Sequence, residues 1–434
     1  MTGVPGWLAR HGVRRVHGHP FPGAVGPVLD EAYAVLLAEA DGTVGSGVGA
    51  SWDGSVLTLL SRRAEMSERA PSTAGSVAEF DDIVAEVAAR GGSSVAVRID
   101  FDPDTPSEPA SAARIDPSLA PRLRTRQVAD GQRLDIDVLL AGAGVVRARM
   151  VGELARLAEA AGLGVLNTFT AKGMFAWDSP YHLGTAFLQE QDLKLAGVGP
   201  DTRALLVGVD ADECPPALFD VAGVRIGPDA PVWTVPAAKL PDLAGWVGSA
   251  HRWPPEPGEL YQVLAGIVQP MYKSDALPFL PPRAAVELLW AMPAEGVITV
   301  EPGIAGMWVA RAMPTTRLGS VRVPATGSPG SAAAAALNLA LAGVPALAIV
   351  DAPLSVRTQE LMDLARGRGL PLVVAEWGDA GDYRTSADYP DAIARALASG
   401  GVHLMRIPVD LTVTRLLTDA AGPLVAWSDR SPSG

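Results

Sequence analysis

The chain is 434 residues long, 48% hydrophobic and 19% charged, with a formal net charge of -13 and a pI near 5.0. That length exceeds one compact core and points to two or three domains of ordinary globular composition. The acidic balance argues against a nucleic-acid partner, because phosphate binding needs a clustered basic face. The densest basic run, Arg122, Arg124 and Arg126, reads as a solvated linker. A single cysteine, Cys214, excludes an intrachain disulfide and argues against a Cys-based metal site. Met1–Trp7 has no basic segment leading into an apolar core, so no signal peptide is read. The apolar run from Ser331 to Val350 is broken by Asn338 and Gly343-Val344-Pro345 into a helix and a strand rather than a membrane span. A cytoplasmic protein without membrane contact is expected.

In chain order, a short helix is predicted at Pro27–Glu31 and a strand at Ala34–Leu37, followed by a Gly/Ser-rich loop from Gly42 to Ser55. A strand at Val56–Leu60, a helix at Phe80–Arg90 and a strand at Val95–Asp100 complete a small α/β region. Residues 102–132, rich in Pro, Ser, Ala and Arg, read as a linker. Beyond it, Val138–Ala141 is a buried strand that reaches the turn Gly142-Ala143-Gly144, and Met150–Ala161 has helical spacing. Leu163–Leu166 and Ala204–Asp210 are further strands. A second linker is placed within Trp253–Gly258. The α/β rhythm then resumes with a helix at Ala284–Trp290, a strand at Val297–Val300 ending at Glu301, and an Ala-rich helix opened by Gly327-Ser328-Pro329-Gly330. A strand at Ala346–Val350 ends at Asp351, a helix covers Thr358–Arg366, and strands are expected at Leu372–Ala375 and Val402–Ile407. The fold class is α/β: three doubly wound domains with parallel sheets, the N-terminal one reduced, at 1–125, 126–255 and 256–434.

Ligands of such sheets gather at the carboxyl ends of the strands, which brings Asp351 forward. A carboxylate there can hold a hard cation such as Mg2+, with Asp379 after the next strand as its second ligand. Asp379 is also good turn chemistry within Gly378-Asp379-Ala380-Gly381-Asp382. Ser328, followed by Pro329 and flanked by Gly327 and Gly330, has the chemistry of a helix start that favours an anion. His17-Gly18-His19 lacks a third ligand at useful spacing and reads as a polar loop. Ser46 lacks the setting of a nucleophile elbow. The Gly142–Gly144 turn suggests a dinucleotide, but the third glycine position falls on Arg147.

Several segments together resemble the thiamine-diphosphate-dependent enzymes of the acetolactate synthase and benzoylformate decarboxylase family. They are Leu140 to Arg147, Thr170-Ala171-Lys172-Gly173 with Tyr181-His182-Leu183-Gly184, Met307-Trp308, Gly327-Ser328-Pro329-Gly330, Gln359-Glu360-Leu361 before Gly369-Leu370-Pro371, and Arg10 to Val16. The resemblance implies a catalytic cofactor, thiamine diphosphate, held with Mg2+. It places the cofactor site at Gly327, Ser328, Gly330, Asp351 and Asp379, with Asp351 and Asp379 on the metal. It also marks departures. The family's Gly-Asp-Gly falls on Val350-Asp351-Ala352, its Asn on Asp379, and its closing segment after Tyr383 is cut short before a helix at Pro390–Ala398. The activating glutamate motif is absent, with Glu39, just past the strand expected at Ala34–Leu37, as the one stand-in. The reading that follows is a divergent member with lost or weakened catalysis, a pseudoenzyme. It would be a partner subunit or binding protein, in a homo-oligomer or with a full-length relative. Two alternatives stay open: an active decarboxylase or carboligase of a 2-oxo acid, and a nucleotide-binding oxidoreductase.

Overall fold

A computed structural model describes residues 3–13, 15–21, 33–44, 48–61, 70–89, 94–106, 125–210, 213–214, 217–225, 232–243, 245, 247–249, 259–383, 385 and 388–427. The chain forms two compact units, residues 1–120 and 121–434. The helix expected at Pro27–Glu31, the residues Ser46, Arg122 and Arg124, and the linker at Trp253–Gly258 lie outside the described residues.

The first unit holds helices α1 (Gly3–Arg10), α2 (Ala34–Val44) and α3 (Val77–Ala89) and strands β1 (Val16–Gly18), β2 (Val48–Trp52), β3 (Val56–Ser61), β4 (Ser72–Ala74) and β5 (Ser94–Ile99). The sheet order is β1-β2-β3-β5-β4. It is mixed rather than parallel, since β3 runs antiparallel to both β2 and β5. The cause is local. Asp53-Gly54 is hairpin chemistry, with Gly54 at φ +100° and the Asp53 carboxylate accepting from the amides of Ser55 at 2.8 Å and Val56 at 2.7 Å. The described residues of the expected loop at Gly42–Ser55 are therefore the end of α2, strand β2 and this turn. The strand expected at Ala34–Leu37 is corrected to helix. Four apolar residues do not separate strand from buried helix by periodicity, and Ala and Leu favour the helix. Gly49 admits it, because a Cβ there would lie 1.7 Å from the Ala38 carbonyl oxygen. The His17-Gly18-His19 segment is likewise not a loop: His17 is fully buried on β1 and bonds through Nε2 to Asp41 at 2.8 Å.

The second unit contains two larger sheets, parallel throughout as expected. The first is built from β6 (Arg126–Gln127), β8 (Val138–Ala141), β9 (Gly164–Thr168), β10 (His182–Ala186), β11 (Ala204–Val207) and β12 (Val232–Val235), in the order β10-β9-β8-β11-β12-β6. Arg126, assigned to a linker, instead edges this sheet opposite Trp233. A small parallel pair, β7 (Leu134–Ile136) and β13 (Val247–Ser249), accompanies it. Helices α4 (Ala143–Arg147), α5 (Val151–Ala161), α6 (Asp192–Leu195), α7 (Ala217–Val221) and α8 (Leu240–Leu243) form the connections.

The C-terminal sheet comprises β14 (Val297–Val300), β15 (Val321–Arg322), β16 (Ala346–Asp351), β17 (Leu372–Gly378) and β18 (Val402–Pro408), in the order β15-β14-β16-β17-β18. Its helices are α9 (Glu259–Tyr272), α10 (Pro281–Ala291), α11 (Ile304–Ala312), α12 (Ser331–Leu341), α13 (Val356–Arg368), α14 (Asp388–Ser399) and α15 (Thr414–Ala421). One apolar core runs from Val138, Leu166 and Phe219 to Ile298, Trp308 and Trp377, which makes the two sheets a single unit. Among the described residues no helix is long and apolar enough to cross a membrane.

Candidate functional site

At the carboxyl edge of the C-terminal sheet, two strands end in carboxylates and two helices begin. Helices leave their first amides without partners, so an N-terminus draws negative charge. Here the chain supplies that charge itself. Asp351, at the end of β16, accepts from the amides of Ile304 at 2.8 Å and Ala305 at 2.6 Å, the first turn of α11. Glu301, just past β14, accepts from the Gly330 amide at 3.1 Å through each oxygen, at the start of α12. Each acid caps a helix adjoining the other's strand. Both glycines at these starts are required. Gly330 has φ +90°, and a Cβ on Gly303 would lie 2.0 Å from Asp351 Oδ2.

Burial raises both carboxyls. Glu301 is pushed up to about 7 by desolvation, with the Asp351 charge adding to it and the amides of Gly330 and Ala332 opposing it. Asp351 is raised by burial against the pull of the Ala305 and Ile304 amides.

The expected start of the Ala-rich helix is corrected by two residues. Ser328 does not cap it through its side chain. Its carbonyl accepts from the Ser331 amide at 3.0 Å, while Gly330 is the N-cap and Ser331 the first helical residue. Gly327 is close-packed, since a Cβ there would meet Ser331 Oγ at 2.8 Å. Asp379 lies exposed in the turn after β17, beyond β17 from the direction in which Asp351 reaches toward α11. No group of three His, Cys, Asp or Glu side chains that could hold a metal ion occurs among the described residues. The Ala352 methyl fills the space beside Gly378, 2.6 Å from where a Cβ would stand. Glu39 sits half-buried within α2 and not at a strand end, which removes the setting expected of an activating glutamate.

An acid also holds the glycine turn after β8. Glu213, fully buried, accepts from the Ala143 amide at 3.2 Å and the Thr168 hydroxyl at 3.1 Å, and from the Thr170 hydroxyl. Gly142 and Gly144 are needed for chain packing, with added Cβ atoms at 2.4 and 2.6 Å from the Gly208 carbonyl oxygen. Arg147, where a dinucleotide turn has its third glycine, makes a two-pronged pair with Asp210 at 2.7 Å per bond.

The sequence of this region identifies it. Residues 136–213 match the family described as thiamine pyrophosphate enzyme, central domain. The chain carries a thiamine pyrophosphate enzyme central domain. The fold extends this likeness to both ends. The chain is similar to the crystal structure of benzoylformate decarboxylase from Polynucleobacter necessarius, with a TM-score of 0.60 and 14% identity over 95% of this chain and 99% of that one. Comparison with the curated proteins gave no match. The Gly142–Gly144 turn lies within the matched residues, and the resemblance read from the sequence would put a cofactor at Gly327, Ser328, Gly330, Asp351 and Asp379, an edge that Glu301 shares. Thiamine diphosphate with Mg2+ does not fit the residues there. Two carboxylates already fill the helix starts, and an anion added beside them would meet like charge in a buried setting. Asp351 stood out in the sequence, whereas Glu301 and Glu213 as helix-start and turn acids did not. The available signal was that two neighbouring strands, β14 and β16, both end in acid.

Proposed function

We propose that this chain is a divergent member of the thiamine-diphosphate enzyme family that does not run the cofactor's chemistry and acts as a partner subunit or binding protein. The observation carrying this reading is the crossed pair of caps, Glu301 on α12 and Asp351 on α11. A diphosphate entering there would have to displace both acids or be held against them, and each lost cap costs about 1 kcal/mol. Calorimetric titration of the full chain with thiamine diphosphate and Mg2+ tests it. The expected result is no saturable heat below roughly 1 mM, weaker than about -4 kcal/mol of binding. Tight binding with turnover of a 2-oxo acid would overturn it. Copurification with a full-length relative, against self-association alone, separates a partner subunit from a homo-oligomer.

The second reading is an active, Mg2+-dependent decarboxylase or carboligase of a 2-oxo acid. Its support is the end-to-end likeness to a protein named benzoylformate decarboxylase. On that reading Asp351 and Asp379 hold the metal, with Gly327, Ser328 and Gly330 beside the cofactor, and Asp351→Ala abolishes a heat of binding that the wild-type chain shows. The oxidoreductase alternative loses its support with Glu213, which occupies the amide that a nucleotide phosphate would use.

A further inference from the structure

The chain has four lysines, Lys172, Lys194, Lys239 and Lys273, and one of them is buried. Lys172 follows the single 3-10 turn Phe169–Ala171 after β9 and is 8% exposed. The chain reverses at Gly173, whose φ is +83° and where an added Cβ would lie 3.2 Å from the Arg317 carbonyl oxygen. A buried ammonium ordinarily has a carboxylate partner. The charge that neighbours Lys172 is instead a cation, Arg311, which is committed to Asp192 at 2.7 and 2.9 Å and donates to the Thr185 carbonyl at 2.7 Å. Among the described residues the Lys172 ammonium has no hydrogen-bond or ion-pair partner. The Nε of Arg311 is likewise buried without an acceptor. His182 also lies within electrostatic reach of Lys172; its Nε2 meets Asn167 Oδ1 at 2.7 Å, while the Asn167 amide reaches Thr185. Lys172 thus lies within electrostatic reach of Arg311 and His182, and Arg311 is already committed to Asp192.

Such surroundings make the neutral amine the favoured form. Desolvation, with the Arg311 charge adding to it, lowers Lys172 to about 7. His182 is pushed down to about 4, first by burial and then by Lys172, and so stays uncharged near neutrality. Burial beside a second cation is the arrangement that turns a lysine into a nucleophile toward carbonyl groups.

We propose that Lys172 is a reactive amine that captures small carbonyl compounds, aldehydes or 2-oxo acids, as an imine. The amine lone pair adds to the carbonyl carbon, and the π electrons go to oxygen, which takes a proton as nitrogen gives one up. Loss of that oxygen as water leaves the C=N bond. Amine and carbonyl become imine and water, with no change of oxidation state. The inference is independent of the cofactor reading, because it concerns the loop after β9 and not the edge at Glu301 and Asp351.

The test is reductive trapping on the full, folded chain with glyoxylate as probe and cyanoborohydride as hydride donor, read by peptide mass spectrometry. At pH 7, carboxymethylation of Lys172 is expected to outrun that of each other lysine by about tenfold. Its rate should rise through a midpoint of about 7. In the urea-unfolded chain the four should react alike. Lys172→Arg, which keeps charge and stem, should remove the fast adduct. If that variant does not fold, the folded-against-unfolded comparison on the natural chain still decides. Labelling in proportion to exposure, or no adduct at Lys172 while the exposed lysines react, overturns the proposal.

Discussion

The second unit places carboxylates against backbone amides in two regions, and the two behave differently. At the turn after β8, Glu213 is fully buried and is met by an amide and two hydroxyls. At the edge of the C-terminal sheet, Glu301 and Asp351 are half-buried and near enough for the charge of one to raise the other. An acid satisfied by several donors is fixed structure. Two acids that repel while sharing one edge are held in a less comfortable state, and that state responds to pH. The turn in the middle of the chain is sealed by a satisfied acid, whereas the C-terminal edge holds acids that can still change charge.

The largest effect should come from the sealed region. Glu213→Ala strips the partner from the Ala143 amide and from Thr168 and Thr170 at once, and should cost about 3 kcal/mol in urea unfolding. A loss under about 1 kcal/mol would mean that the turn stands without its acid. The C-terminal edge should show a smaller, pH-dependent effect. Glu301 rises from 4.5 in the unfolded chain to about 7 in the folded one, so the folded chain binds the proton more tightly. Its contribution is therefore full below the unfolded value and is lost as pH rises toward about 7. Between pH 5 and pH 8 the natural chain should lose about 2 kcal/mol relative to Glu301→Gln, whose side chain stays neutral. Parallel pH profiles for the two chains would erase the contrast between the regions. The smallest effect is expected at Asp379, exposed in its turn. Asp379→Ala should change stability by less than about 0.5 kcal/mol and leave the calorimetric response to Mg2+ unaltered. A lost metal response there would restore Asp379 as a ligand.

The elements of the C-terminal sheet are legible in the sequence because their signals are local. Val297–Val300 and Ala346–Asp351 are short apolar runs bounded by turns, and the alanines after Gly330 read as helix. Ala34–Leu37 carries the same kind of apolar run and is helix, since packing against Gly49 decides what four residues cannot. Arg126–Gln127, Leu134–Ile136 and Val247–Ser249 are too short to carry a period at all. The site was legible in half. A carboxylate at the end of β16 is visible, but its partner amides are 46 and 47 residues away, and Glu213 acts 70 residues from Ala143. Local spacing does not show which helix an acid will cap. Lys172 stood in a family-like motif, yet the cation that neighbours it, Arg311, comes from α11, far along the chain.

The crossed caps also have a mechanical consequence. Glu301 ties the end of β14 to the helix that leads into β16, and Asp351 ties the end of β16 to the helix that leaves β14. Two strands and two helices are thereby cross-braced, and neither helix start can open without releasing the strand end across from it. The amides of Ile304 and Ala305, held by one carboxylate, should therefore open to solvent together, and that of Gly330 with the release of Glu301.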